Sequence, residues 1–201
     1  MALDFNNAGN QQNYDLIPEN TIAPLVMNIR PGGAGEGGWF KSSSSSDVQM
    51  LDCEFVIASG PYAGRKIWRN MTVSGGKVDE HGNSIGGNIT RATLRAILES
   101  ARNVKPQDMS ETAMQARRIN SWQDFCGLSF LAKIGIGKGK NGYEDKNKIK
   151  VVITPDMKDY AHCATPSAAP AAPAQTQPAW GNSAQTPPPA TPSTPTPAWA
   201  R

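Results

Sequence analysis

Apolar and polar residues alternate along several short stretches of this chain, which is the pattern of half-buried β-strands. Gly, Pro, Asn and Ser clusters separate these stretches, and the last two flank a single loop, which predicts a β-hairpin. A proline at position 24 indicates that the first strand is an edge strand or contains a bulge. The predicted strands are Thr21–Arg30, Val48–Ala58, Gly64–Val73, Leu128–Ile136 and Lys148–Thr154.

One segment has the periodicity of an amphipathic helix. Leu94, Ile97 and Leu98 fall on one side of a helix predicted over Thr90–Val104, with Thr90 as its N-cap. A weaker helix is predicted at about Ser110–Arg118. The order is therefore three strands, helical segments and two strands. This is the order of an OB-fold, so we expect a mainly β (α+β), five-stranded OB-fold-like barrel with a helix between strands three and four.

Two loops in this predicted barrel carry aromatic and basic residues. Pro31–Ser46 is rich in Gly and Ser and contains Trp39, Phe40 and Lys41, whereas Gly137–Lys148 carries several lysines around Tyr143. In an OB-fold, the loops that join strands one to two and four to five flank the oligonucleotide-binding face. Aromatic rings that stack on bases, with cations beside them, are typical of single-strand binding. The sequence therefore predicts a nucleic-acid interface bordered by these loops.

The third strand adds basic residues around Trp68. Two readings stay open for Trp68 and for Trp39, because each ring either stacks on bases or packs into the protein core. The lysine hairpin likewise has a plain alternative, in which its cations only keep an exposed sheet edge soluble. The predicted nucleic-acid-binding residues are Trp39, Lys41, Arg65, Lys66, Trp68, Arg69, Lys138, Lys140, Tyr143, Lys146 and Lys148.

The composition changes after the last predicted strand. Residues 164–201 contain ten prolines, many Ala, Thr and Ser, and no acidic residue or lysine. Such a segment buries too little apolar surface to offset its ordering entropy, which predicts a disordered tail. Trp180 and Trp199, each in a Pro-Ala-Trp triplet, are candidate docking points for a partner protein. We expect a flexible arm over residues 1–16, the domain over 17–161 and the tail over 162–201.

Charge and composition exclude some classes of protein and some kinds of site. The net charge of +3 and the isoelectric point of about 8.8 are mildly basic. No apolar run approaches the roughly 18 residues of a membrane span, and the first residues do not resemble a signal peptide, so we expect a cytoplasmic protein with no membrane partner. Three distant cysteines predict neither a disulfide framework nor a zinc site. The oligomeric state stays open, with a homodimer as one option.

Several motifs also resemble a known family. They are Pro31–Glu36 (PGGAGE), Met50–Phe55 (MLDCEF), Gly60–Arg65 (GPYAGR), Arg95–Arg102 (RAILESAR) and Tyr143–Asn147 (YEDKN). Together they resemble a phage- and prophage-encoded domain family, some of whose members are described as single-stranded-DNA-binding proteins of phage replication or recombination. The resemblance covers about residues 17–160 and implies action inside a bacterial host cell. Single-stranded-DNA-binding proteins often end in an acidic tail, and this tail has no acid.

Catalytic motifs are weak by comparison. Gly135–Lys140 superficially resembles a phosphate-binding loop but lacks the GK[ST] ending and does not open a helix. The chain has only two histidines, which leaves few candidates for a catalytic triad. We therefore expect no enzyme activity and no cofactor. The favoured function is single-stranded-DNA binding with low sequence preference, with replication or recombination proteins recruited through the tail. The alternative is a phage protein–protein adaptor that works through its Pro/Trp-rich tail.

Overall fold

The structure is a computed structural model that describes residues 4, 6–7, 15–139 and 142–163, the last three of them by backbone alone. The strands are β1 (Ile22–Arg30), β2 (Phe40–Ser42), β3 (Gln49–Ile57), β4 (Lys66–Ser74), β5 (Leu128–Gly137) and β6 (Lys146–Ile153). The helices are α1 (Ile85–Ala101), α2 (Glu111–Ala116) and α3 (Lys158–Cys163), and short 3₁₀ helices lie at Glu36–Gly38 and Trp122–Phe125. The predicted tail beyond residue 163 and most of the predicted arm lie outside the described residues.

The strands form one antiparallel sheet in the order β4-β3-β1-β5-β6. The sixth strand, β2, pairs with Gln49–Leu51 of β3, beyond the point where the β1 ladder ends at Asp52. The predicted mainly β architecture is confirmed, and so is a helix between the strands predicted as third and fourth. The prediction missed β2, because three residues within a Gly/Ser-rich loop carry no readable alternation.

The predicted closed barrel is wrong, since the sheet is open. β4 and β6 approach each other, but no ladder joins them within the described residues. Two features accompany this gap. Lys150 is an extra residue in β6, because Lys133 pairs with Val151 while Ile134 pairs with Ile149, and such a bulge interrupts the regular pairing with β5. Helix α1 contacts both β4 and β6.

The core lies on one face of the sheet, beneath α1. Alternate residues of β1 and β3 point into it, and their neighbours in sequence form the opposite face, which we call the outer face. Leu94, Ile97 and Leu98 of α1 are buried against the core, as the periodicity predicted. The fully buried side chains of the two central strands are Leu25, Met27, Leu51, Cys53, Phe55 and Ile57.

Helix α1 begins at Ile85, five residues before the predicted start. Its N-cap is Ser84, whose hydroxyl accepts a hydrogen bond from the Gly87 amide at 3.1 Å, and Thr90 is buried within the helix. Glycines at positions 86 and 87 hid this start, because glycine disfavours helix interiors. They are needed for close packing, since a Cβ on Gly87 would lie 2.6 Å from the carbonyl oxygen of Val73 in β4.

The residue Pro24 lies in a central strand and not at an edge, contrary to the expectation. Its carbonyl accepts a hydrogen bond from the Ala58 amide, just past the end of the β1–β3 ladder at Leu25 and Ile57. A residue in an antiparallel strand points its N–H and C=O to the same side. The N–H that proline lacks would therefore also point toward Ala58, so the β1–β3 ladder ends where this donor is missing.

The segment before β1 is attached to both ends of the sheet. The side chain of Asn147 in β6 accepts a hydrogen bond from the Ile17 amide and donates one to the Ile17 carbonyl, both at 2.9 Å. Arg65, just before β4, donates to the carbonyl of Asp15 at 2.7 Å. Ile17 is buried in the core. Residues 15–17 therefore bridge the beginnings of the two outermost strands.

Ion pairs around the buried carboxylate of Glu99 fix the segment that follows α1. The carboxylate of Glu99 is almost fully buried, and its Oε1 accepts hydrogen bonds from Nε of Arg95 at 2.8 Å and Nε of Arg117 at 2.6 Å. Arg117 also donates to the carbonyls of Lys105 and Asp108. These contacts fasten the loop between α1 and α2 against the end of α1.

Candidate nucleic-acid interface

The indole of Trp68 is exposed on the outer face of β4. Residues 67 and 71 of this strand point into the core, so residue 68 points away from it, and 57% of its surface is accessible. The indole Nε1 donates to Oε2 of Glu54 at 3.2 Å, and Nζ of Lys66 donates to the same oxygen at 3.1 Å. The reading of Trp68 as a core residue is therefore wrong. The ring is held at the surface beside a lysine.

Carboxylates accompany these residues on the outer face. Asp52 lies two residues before Glu54, and both its oxygens accept hydrogen bonds from Nη2 of Arg30, at 2.8 and 2.9 Å. Asp52 and Glu54 share this face because they alternate with the buried residues of β3. The missing signal was the register that brings Glu54 opposite Trp68 and Asp52 close to Arg30. Acids and bases therefore nearly balance over the centre of this face.

The loop between β5 and β6 presents a second exposed ring. Tyr143 is 72% exposed, and Nζ of Lys146 lies 5.8 Å from the centre of its ring. Asp145 accepts hydrogen bonds from Nζ of Lys138 at 2.7 Å and from the Gly139 amide at 2.9 Å. The hydrogen bond with Asp145 raises the pKa of Lys138 above its usual value. Asp145 therefore fixes the first residues of the loop. Lys140 lies outside the described residues.

An acid from the segment before β1 lies among the lysines of the hairpin. The carboxylate of Glu19 accepts a hydrogen bond from Nζ of Lys150 at 2.9 Å. This bond lowers the pKa of Glu19, and the nearby charges of Lys148 and Lys138 lower it further. Lys148 itself is exposed and makes no hydrogen bond or ion pair with the described residues. The hairpin therefore remains positively charged, although Glu19 and Asp145 neutralise part of its charge.

The two predicted loops lie at opposite ends of the sheet. The loop with Trp39 follows the end of β1 at Arg30, whereas β5 ends beside the start of β1, because Ile22 pairs with Lys133. β4 and β6 both begin at this second end, so Lys66 and Trp68 lie toward the same end of the sheet as Tyr143 and Lys146. The structure therefore separates the predicted residues into two groups.

The remaining predicted residues are not all on one surface. Trp39 is half-buried and packs against the core, which favours the reading in which the ring folds back onto the sheet. Lys41 is exposed, on the same face as Trp68. Arg69 lies on the opposite face of β4 from Trp68, and Arg65 is engaged by the Asp15 carbonyl and the Tyr62 ring. Arg69 and Trp68 were both predicted to bind nucleic acid, and the structure places them on opposite surfaces, because side chains alternate across a strand.

Other functional features are few in the part of the chain that the structure describes. No group of three or more His, Cys, Asp and Glu side chains there could hold a metal ion. None of the described helices is both long and apolar enough to cross a bilayer. The predicted docking residues Trp180 and Trp199 lie outside the described residues. Comparisons with models of known protein families, with curated proteins and with solved structures each found no match to this chain.

Proposed function

We propose that this chain is a single-stranded-DNA-binding protein with low sequence preference, acting in phage DNA replication or recombination. The observation that carries the proposal is the pair of exposed aromatic rings, Trp68 and Tyr143, each with a lysine beside it, toward the same end of the sheet. The order of the strands also supports the proposal, because β1, β3, β4, β5 and β6 neighbour one another as the five strands of an OB-fold do, although the sheet is open, and β2 is an addition within the first loop.

This arrangement matches the chemistry of a flexible single strand. Unpaired bases expose flat faces that stack on aromatic rings, and each such contact is worth about 1–3 kcal/mol. Lysines beside the rings attract the phosphates that link successive bases. A duplex hides its base faces inside the helix, so a site built on stacking discriminates against it. Stacking accepts every base, which accounts for the low sequence preference.

The acids on the outer face limit where the phosphates run. Asp52 and Glu54 would repel a backbone that crossed the centre of β3. The backbone therefore follows the lysines, from Lys66 toward Lys146 and Lys148, with its bases turned toward the two rings. On this proposal the loop with Trp39 contributes less, since its ring is partly covered.

The proposal is tested by fluorescence anisotropy of labelled oligo-dT titrated with the full chain, at two salt concentrations and with a duplex control. We expect tight, salt-sensitive binding to the single strand and much weaker binding to the duplex. Trp68→Ala and Tyr143→Ala should each weaken binding by 1–3 kcal/mol, about 5- to 150-fold. Val78→Ala, which truncates another exposed apolar residue, is the matched control and should bind as the unaltered chain does.

Two results would reject the proposal. One is the absence of single-strand binding at low salt. The other is unchanged affinity in the double variant Trp68→Ala/Tyr143→Ala, which would reject the stacking site even if the chain still bound DNA.

A further inference from the structure

A groove lies between helix α1 and the edge strand β6, on the side of the sheet away from Trp68. Its volume is about 410 Å³. Ala92 and Ala96 of α1 form one wall, and their small side chains leave room above the helix. The remaining apolar lining residues are Pro106, Ile149, Val151, Val152 and Met157. Val151 and Met157 are exposed although they are apolar.

The strand that borders this groove has a free edge. β6 ends the sheet, and only β5 pairs with it among the described strands. An edge strand presents unpaired backbone N–H and C=O groups, which an extended peptide can use by adding another strand. β4 approaches this edge but forms no ladder with it within the described residues. Hydrogen-bonding capacity and apolar surface therefore lie side by side.

The charged groups of the groove are already engaged, with one exception. Glu99 contacts Arg95 and Arg117, and Lys150 contacts Glu19. The carboxylate of Asp156 accepts hydrogen bonds from the side chains of Thr154 and Gln107.

The exception is Arg69 of β4. It is half-buried in the groove and has no hydrogen bond or ion pair with any residue that the structure describes. A partly desolvated guanidinium without a partner is costly, and a carboxylate is the group that fits its paired donors. A carboxylate in this groove would therefore find a complementary partner in Arg69.

We propose that this groove binds an extended segment of a partner protein that has alternating apolar side chains and one carboxylate. The backbone of the segment pairs with the free edge of β6. Its apolar side chains contact Ala92, Ala96 and Val151, and its carboxylate binds Arg69. A nucleic acid fits less well, because the lining contains no aromatic ring for stacking and only one cation without a partner. The proposal is independent of DNA binding at the outer face.

The test uses the full chain and three labelled peptides, with binding measured by fluorescence anisotropy in the absence of DNA. The first peptide alternates valine and threonine around a central aspartate. The second has asparagine in place of the aspartate, and the third has a proline that prevents strand pairing. We expect binding of the first peptide, roughly tenfold or more weakening for the second, and loss of binding for the third.

Variants of the chain show where the peptides bind. Arg69→Gln should remove the preference for aspartate over asparagine. Ala92→Trp fills the groove from a solvent-exposed position and should abolish binding of all three peptides, and thermal melting shows whether either variant still folds. Lys77→Gln, which removes an exposed cation outside the groove, should bind like the unaltered chain.

Four outcomes would overturn the proposal. They are no binding of the aspartate peptide, equal binding of the aspartate and asparagine peptides, displacement of the peptide by oligo-dT in an Arg69-dependent manner, and self-association that Ala92→Trp abolishes while no peptide binds. The third outcome would identify the occupant as nucleic acid, and the fourth would identify it as a second copy of the chain.

Discussion

Across the β3–β4 pair, the indole N–H of Trp68 donates a hydrogen bond to Oε2 of Glu54 at 3.2 Å. Glu54 lies directly opposite Trp68 in the register, so the bond holds the edge of the ring against the sheet while most of the ring stays exposed. The same oxygen takes a hydrogen bond from Lys66. Glu54 thus orients the proposed stacking ring and also neutralises the nearest cation, and these two effects on DNA binding oppose each other.

Substitution of Glu54 separates the two effects. Glu54→Gln keeps an oxygen that accepts from Trp68 but removes the negative charge, so the affinity for oligo-dT should rise roughly two- to fivefold. Glu54→Leu removes the acceptor as well and should lose part of this gain. Anisotropy titrations at one salt concentration measure the affinity of both variants for oligo-dT. A lower affinity for Glu54→Gln than for the unaltered chain would contradict this role.

The lysines at the start of β6 should determine part of the salt dependence. Each phosphate contact on a single strand contributes about −0.7 to the slope of log K against log salt, because a bound counterion is released. Lys146→Gln and Lys148→Gln should therefore each make the slope shallower by about 0.7. Lys77→Gln is the control and should leave it unchanged. Identical slopes for all three variants would place the phosphates elsewhere.

Glu99 binds two arginines that differ in exposure. The side chain of Arg117 is 12% exposed and that of Arg95 is 51% exposed, although both donate to Oε1. Arg117→Gln removes the buried partner of Glu99 and leaves only the exposed Arg95, so it should lower the free energy of unfolding by about 1.5–3 kcal/mol. Arg95→Gln should lower it by no more than about 1 kcal/mol. Urea denaturation measures both, and equal losses would show that burial does not govern this network.

The attachment of residues 15–17 to the sheet is also testable by denaturation. Asn147→Ala removes both hydrogen bonds to the backbone of Ile17 and should destabilise the fold by about 1–3 kcal/mol. Asn70→Ala removes an exposed amide on the outer face that has no hydrogen bond with the described residues, and should change stability by less than about 0.5 kcal/mol. If Asn147→Ala loses no more stability than Asn70→Ala, the hydrogen bonds to Ile17 do not contribute to the stability of the fold.

Cys53 should resist modification while the protein is folded. Its thiol is fully buried in the core, and burial raises the pKa of Cys53 to about 12. Because the folded value lies above the unfolded value of about 8.5, the thiol stabilises the fold below pH 8.5, and this contribution is lost as pH rises toward 12. Iodoacetamide at pH 8 followed by mass mapping should label Cys53 only in denaturant. Rapid labelling without denaturant would contradict its burial.

The sequence by itself determined most of the strands and the helix that covers them. Alternation at period two located five of the six strands to within two residues, and Leu94, Ile97 and Leu98 identified the buried side of α1. These features depend on neighbours in the chain, so they can be read locally. The start of α1 was missed, because Gly86 and Gly87 are poor helix formers whose value lies in their close approach to β4.

Tertiary structure alone decided the rest. Whether Trp68 is buried depends on which face of β4 meets the core, and its bond to Glu54 depends on a register between strands that are distant in sequence. Whether the sheet closes depends on how β4 and β6, which are distant in sequence, come together. The isolation of Arg69 in a groove depends on three elements meeting. Each is a relationship between segments that come together only in the folded chain, so no local pattern predicts it.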